Sequence, residues 1–525
     1  MYRLSQLHGH IAPNASFAIY KAPKKAAPAV AANLVQVTLP DGKSYDQPTK
    51  LFINNEWVDG HGGSIESVNP ATEQVICSVE AADESDVDKA VQAARNCYEN
   101  VWRKVTGAER AQLMRKLADL VEKNKDLLTS IEAADSGKPK YGNCDGDVDE
   151  LIYVLRYYSG LAEKAGNGVT ISTSNEKFAY TIHEPYGVCG QIIPWNYPIA
   201  MAAWKLGPCL AAGNVLVMKL SEYTPLSMLV ICNLVKEAGF PPGVVNVVNG
   251  YGAKAGNRLA EHPDVDKIAF TGSTATGRSV MKAATGNMKA VTMELGGKSP
   301  LLIFDDCDLA KAIEWAHIGI MYNMGQVCSA TSRILVQEGI ADKFVEGFIK
   351  QCNEASILGC PLDQKTSHGP QVNKIQYEKV LGYIEKGKAE GAKCILGGEA
   401  APQNGKGYFI KPTAFTNVNK DMTIWKEEIF GPVVVIDTFK TEEEAIAKAN
   451  DTPYGLAAAL FTENIRRAHR VVKELRAGQV WVNSDNDSDP RVPFGGVKQS
   501  GIGRELGEYG LSIYTQAKAV HINLD

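Results

Sequence analysis

The sequence predicts an α/β protein built from more than one sub-domain. Three observations carry that reading: the length, a series of short apolar runs, and the amphipathic segments between them. At 525 residues the chain exceeds what one simple core organises. "NVLVMKL", "KIAFTG", "SPLLIF" and "VVVID" are apolar runs of strand length. Buried strands separated by helices imply parallel sheets with crossover helices. "ADESDVDKAVQAARN" is one such helix, with Asp83 as its N-cap and Val87, Ala90, Val91 and Ala94 on one face. The rhythm begins near Val35 and breaks at "GNGVTISTSNEKFAYTIHEPYG", which reads as a protruding β-hairpin.

Composition excludes several classes. Apolar content of 45% and charged content of 22% are ordinary for a globular chain. A net charge of −5 gives no basic field for a nucleic-acid backbone. "IIPWNYPIAMAAWKLGPCLAAGNVLVM" is broken by Asn196, Lys205, Asn214 and prolines, so no membrane span is expected. The eleven cysteines contain no C-x-x-C pair and the nine histidines no H-E-x-x-H, which predicts neither disulfides nor a metal. The first forty residues carry Arg3, Lys21, Lys24 and Lys25 but no acid before Asp41. Such a segment reads as a mitochondrial transit peptide, with a disordered tail on a cytoplasmic protein as the alternative.

Three glycine-rich stretches compete as a phosphate cradle. "GYGAKAG" at Gly250 has the wrong spacing and reads as a loop, and "GIGRELG" at Gly501 reads as a turn before a helix. "FTGSTATG" is better placed, with a strand through Thr271 and Gly272 to Gly277 opening a helix. A helix N-terminus there presents free N–H groups to a pyrophosphate.

Seven motifs stand in one order: "IIPWNYP", "MKLSE", "FTGSTATG", "MELGGKSP", "GQVCSATSR", "EEIFGPV" and "PFGGVKQSGIGRELG". Together they resemble the NAD(P)-dependent aldehyde dehydrogenase superfamily from about Pro40 to the C-terminus, nearest the general, retinal and betaine aldehyde branch. The resemblance implies an NAD-binding domain of Rossmann type (35–160 and 184–295) and a catalytic domain (296–500). It also implies an oligomerisation arm (161–183 and 501–525) behind an N-terminal extension (1–34). A homodimer or homotetramer follows by likeness.

The same resemblance assigns the chemistry. Cys328 would add to the aldehyde as a thiolate and carry the thioester left after hydride transfer. Glu294 would activate the hydrolytic water. Asn196 would donate to the oxyanion with the Cys328 backbone N–H. Lys219 and Glu222 would hold the adenosine ribose, and a carboxylate there favours NAD over NADP. Gly272, Ser273 and Gly277 would cradle the pyrophosphate beside Trp195. Glu428 and Phe430 would hold the nicotinamide ribose, and Gln371 and Lys374 in "GPQVNK" would add weaker contacts.

The expected aldehyde funnel is Tyr197, Met201, Trp204 and Phe494, which suits neutral aliphatic aldehydes. Two departures point the other way. "GDVDEL" brings Asp147, Asp149 and Glu150, and "NSDNDSDPRV" brings Asp485, Asp487 and Asp489, with Ser488 where general enzymes carry an aromatic. Carboxylates at a funnel mouth attract betaine aldehyde or aminoaldehydes. General aldehydes are the favoured reading and cationic ones the alternative. A catalytically inactive structural relative is the alternative of another class, opposed by the joint presence of Cys328, Glu294 and Asn196.

Overall fold

The computed structural model describes residues 34–525, so the transit-peptide expectation lies outside the described residues. Two sheets organise the chain. The first has eight strands, in the order Gly501–Ile502, Ala290–Glu294, Lys267–Thr271, Val188–Ile192, Val215–Lys219, Val245–Val248, Leu51–Ile53 and Glu56–Val58. Its five central strands are parallel, and the outer ones join antiparallel. The second has seven strands, with Pro300–Ile303 and Arg333–Gln337 paired in parallel at its centre.

Sequence explains why these runs became inner strands. Val188–Ile192, Val215–Lys219, Val245–Val248 and Lys267–Thr271 are buried at every position. Only strands covered on both faces tolerate such continuous apolar runs. The covering helix Glu84–Asn100 starts where expected: Asp83 accepts from the Ser85 and Asp86 amides, and the Asp86 side chain completes a capping box. Val87, Ala90, Val91 and Ala94 are fully buried beneath it. The apolar stretch after Asn196 becomes the helix Pro198–Ala212, opened by proline and closed by Gly213 at φ 94°. Among the described residues no helix is long and apolar enough to cross a membrane.

Strand order in the first sheet reverses between Val188–Ile192 and Lys267–Thr271. Ligands of open α/β sheets sit in the crevice beyond the carboxyl ends at such a switch. The chain leaves those two ends as Pro194–Tyr197 and Gly272–Ser273, both on the wall of one cavity.

Three expectations shift. "GYGAKAG" is not a plain loop: Gly252–Gly256 forms a wide helical turn leading into the helix Asn257–Glu261. "GIGRELG" opens with a strand, because Gly501 and Ile502 pair with Glu294 and Met293. Residues from 501 therefore begin on the first sheet, and the separate three-stranded sheet holds only Thr515–Asn523, Lys177–Pro185 and Thr170–Ser174. Replacing Asp83 by alanine removes the acceptor of the Ser85 and Asp86 amides, leaves the Asp83 N–H bonded to Asp86, and is expected to cost about 1 kcal/mol. Urea unfolding followed by circular dichroism would read that loss as a lower midpoint at unchanged slope.

Candidate active site

Cys328 follows an irregular turn whose backbone is held in a costly conformation. Asn323, Met324 and Gly325 have φ of 46°, 54° and 70°. Asparagine and glycine tolerate this region, whereas methionine pays for it. The turn is held by side-chain amides: Asn323 Nδ2 donates to the Asn196 carbonyl at 2.9 Å, and Asn196 Nδ2 donates to the Gln326 carbonyl at 3.0 Å. Gln326 Oε1 in turn accepts from the Val372 amide at 3.0 Å. Asn196 and the cysteine loop are therefore one bonded unit.

The cavity that Cys328 lines has a volume of about 640 Å³. Asn196, Glu294, Glu428 and Glu150 line it too. Burial pushes the Cys328 thiol up to about 12, and the Glu428 and Glu294 carboxyls add to that. Glu294 ends the strand Ala290–Glu294, and its Oε2 has no hydrogen-bond partner among the described residues. Burial first, and the Glu505 carboxyl second, raise its pKa well above the ordinary value. Glu505 is itself buried and accepts from Lys205 Nζ at 2.6 Å, and Lys205 also donates to Thr271 Oγ1 at 2.6 Å. Burial lifts Glu428 to about 7, while the Gly297 amide donates to its Oε1 at 3.0 Å.

The expected cofactor residues divide. Gly272, Ser273, Trp195, Glu428 and Phe430 all line the cavity. Ser273 caps the helix Thr274–Ala283, its Oγ accepting from the Thr276 amide, and a Cβ on Gly272 would lie 2.6 Å from the Phe270 ring. Trp195 and Phe430 meet edge to face at 5.3 Å. Lys219 and Glu222 sit apart, at the end of the neighbouring strand, with Nζ to Oε2 at 2.9 Å. Gly277 is off the cavity: it is buried, and a Cβ there would lie 2.5 Å from Leu295.

Gln371 and Lys374 are also off the cavity wall. Gln371 is buried, and its Nε2 approaches the Met324 carbonyl at 3.4 Å, so it supports the strained turn. Lys374 starts the helix Lys374–Ala389 with a side chain 71% exposed, near Glu378. Gln376 and Lys379 line the cavity instead, and Gln376 Nε2 donates to the Phe430 carbonyl at 2.6 Å. Their three-residue spacing on one helix face was the available signal. The donor set as a whole fits a dinucleotide: a helix N-terminus for phosphate, a strand-end carboxylate, and Glu428 with Gln376 and Lys379 beside an aromatic pair.

Tyr197, Met201, Trp204, Glu150, Ser488 and Phe494 all line the same cavity, as do the unanticipated Tyr322 and Asn486. Trp204 and Phe494 meet at 5.0 Å, and Trp204 Nε1 donates to Glu150 Oε1 at 2.7 Å. Most of the acids singled out beside them are neutralised. Asp147 pairs with buried Lys138, Asp149 with Lys125 at 2.6 Å, and Asp489 with Arg491 at 2.5 Å. Asp485 is fully buried and accepts from Thr331 and Asn486. Asp147 and Asp149 line the cavity as well, while Glu150 and the exposed Asp487 have no cation partner among the described residues; Glu150 meets only an indole N–H, and burial raises it to about 7. Among the described residues no group of His, Cys, Asp and Glu could hold a metal ion.

Comparison with known proteins supplies the rest. The aldehyde dehydrogenase family profile matches residues 57–520. An aldehyde dehydrogenase of Emericella nidulans is 52% identical over 91% of this chain and 96% of its own length. Human mitochondrial aldehyde dehydrogenase is 51% identical over 90% of this chain and 92% of its own. The NAD+ complex of Bacillus cereus aldehyde dehydrogenase superposes with a TM-score of 0.89 at 50% identity, covering 91% of this chain and 97% of that one. Betaine aldehyde dehydrogenase of Staphylococcus aureus, also in complex with NAD+, gives a TM-score of 0.89 at 39% identity over 91% of this chain and 95% of that one. With a matched profile across most of its length and relatives above half identity, the chain belongs to the aldehyde dehydrogenase family.

Proposed function

We propose that this chain oxidises neutral aliphatic aldehydes to carboxylic acids with NAD, using Cys328 as nucleophile, Asn196 as oxyanion donor and Glu294 as base. The observation that carries the reading is the convergence of those three residues on one cavity at the sheet's switch point. Sulfur adds to the carbonyl carbon, the thiol proton passes to Glu294 and from it to solvent before hydrolysis, and the Asn196 amide with the Cys328 N–H stabilises the oxygen. When bound, NAD accepts the hydride from that carbon. Glu294 then takes a proton from water as the water attacks the thioester, the C–S bond breaks, and the acid departs.

The proton economy follows from burial. A thiol held near 12 is neutral at rest, so its proton has to move as the C–S bond forms. The unpartnered Oε2 of Glu294 is suited to receive it once that carboxyl is ionised. Because burial raises the Glu294 pKa, the base form grows as pH increases, and turnover rises with it.

Neutral substrates are favoured because the acidic segments do not form an open anionic mouth. Lys138, Lys125 and Arg491 cancel three of the carboxylates. Glu150 supports the second reading, a cationic aldehyde, since among the described residues it makes no ion pair. An assembly of several copies is supported by the strand Thr170–Ser174, exposed at every position on the edge of its sheet. The acid-poor leading segment and the mitochondrial human relative support import into the matrix.

Cys328→Ala is expected to lower kcat at least about a thousandfold while equilibrium binding of NAD persists. Glu294→Gln should slow both the first NADH formed per site and steady turnover, by about 10²–10⁴-fold, with the rise of kcat with pH abolished. Retention of that pH slope would remove Glu294 from its role. Glu222→Ala should raise kcat/KM for NADP relative to NAD by about tenfold, since it removes a like charge from the 2′-phosphate. Initial rates of NADH formation with butanal and with betaine aldehyde at low salt test the substrate. Butanal should have the higher kcat/KM, and an advantage for the cation of about tenfold would reverse the assignment.

A further inference from the structure

Lys138 does not line the cavity, yet it touches the cavity's wall. The helix Lys125–Ser136 ends at Gly137, in left-handed conformation at φ 81°. A Cβ there would lie 2.7 Å and 2.8 Å from the Pro70 and Pro370 rings, so the chain turns tightly and sends Lys138 inward. Lys138 is 1% exposed. Its ammonium makes two contacts that matter: an ion pair with the buried carboxylate of Asp147, and the face of the Tyr197 ring, 3.6 Å from Nζ to centroid.

Both contacts belong to the substrate wall. Tyr197 directly follows Asn196 and precedes the helix Pro198–Ala212, which places Met201 and Trp204 on the same cavity. Asp147 lies in the first turn of the helix Asp145–Leu161, where a carboxylate is favoured, and Glu150 stands three residues further on. The two helices are therefore tied twice across the wall, by Glu150 to Trp204 and by Asp147 through Lys138 to Tyr197. A buried ion pair is weak ground for stability, because apolar side chains of similar volume fill such a place as well. What an apolar replacement would not supply is the directional hold on the ring face.

We propose that Lys138 is a positioning residue for aldehyde selection: neutralised by Asp147, its ammonium fixes the Tyr197 ring and so sets how large a substituent fits beside Cys328. The inference rests on the cavity being the aldehyde site. Lys138 touches no reacting atom and acts through Tyr197.

The test is the ratio of kcat/KM for benzaldehyde over propanal. Lys138→Met combined with Asp147→Asn removes both charges and leaves neither stranded. That double variant should raise the ratio by about fivefold, with propanal losing mainly kcat and benzaldehyde gaining mainly in KM. In a Tyr197→Leu background the same pair of changes should leave the ratio within about twofold, since the ring is gone. An unchanged ratio in the first case, or an equal shift in the second, overturns the proposal. Should the charge-free variant not fold, Tyr197→Phe and Tyr197→Leu decide: phenylalanine should keep the ratio and leucine raise it, and equal behaviour of the two overturns the role. Wild-type protein that forms NADH with neither aldehyde overturns both this inference and the aldehyde reading. Wild-type activity with an unmoved ratio overturns Lys138 alone.

Discussion

The geometry of the site depends on a crossing with no room at its centre. Five residues, 295–299, carry the chain from the strand ending at Glu294 to the strand beginning at Pro300, and so from one sheet to the other. A Cβ on Gly296 would lie 2.1 Å from the Glu428 carboxyl, and one on Gly297 would lie 2.7 Å from the Cys328 carbonyl. Glycine at both positions lets the base-bearing strand, the cysteine loop and Glu428 approach each other. The Gly297 amide, exposed by that same tightness, is the donor that holds Glu428. Any side chain in the crossing would separate two sheets whose ends must share a cavity.

Closeness brings an electrostatic consequence. Glu294, Glu428 and Glu150 line one cavity with a neutral thiol, beside the ion-paired Asp147 and Asp149, and burial raises all three glutamates. Ionising several together is opposed both by lost solvation and by mutual repulsion. The resting site therefore carries little charge, which leaves its potential to be set by what enters. Glu505, paired with Lys205, adds to burial in raising Glu294.

What was legible in the sequence was what depends on local pattern. Continuous apolar runs gave the inner strands, and Asp83 and Ser273 gave helix starts, because caps and buried strands are written within a few residues. The residues of "GQVCSATSR", "MELGGKSP" and "PWNYP" were found through motifs, and the structure gathers Cys328, Glu294 and Asn196 on one cavity. Interactions between distant segments were not legible. Gly501 pairs with Glu294 across more than two hundred residues, which a turn-like "GIG" gives no hint of. "GPQVNK" led to Gln371 and Lys374, whereas the cavity takes Gln376 and Lys379, because the helix phase is decided by packing and not by composition.

The acidic segments show the same limit most sharply. Counting aspartates in "GDVDEL" and "NSDNDSDPRV" suggests a negative mouth, but charge at a site is set by partners. Lys138 and Lys125 come from an earlier helix and its end, while Arg491 lies two residues from Asp489 and grips it through its Nε–Nη2 edge. Asp485 turns away altogether, onto Thr331 at the base of the cysteine loop, where it anchors the segment that carries Asn486 to Ser329. Residues that read as substrate attractors thus serve as struts. The funnel's selectivity then falls to the shape of its aromatic wall, to the space left at Ser488, and to the Glu150 carboxyl, whose charge is decided near neutral pH.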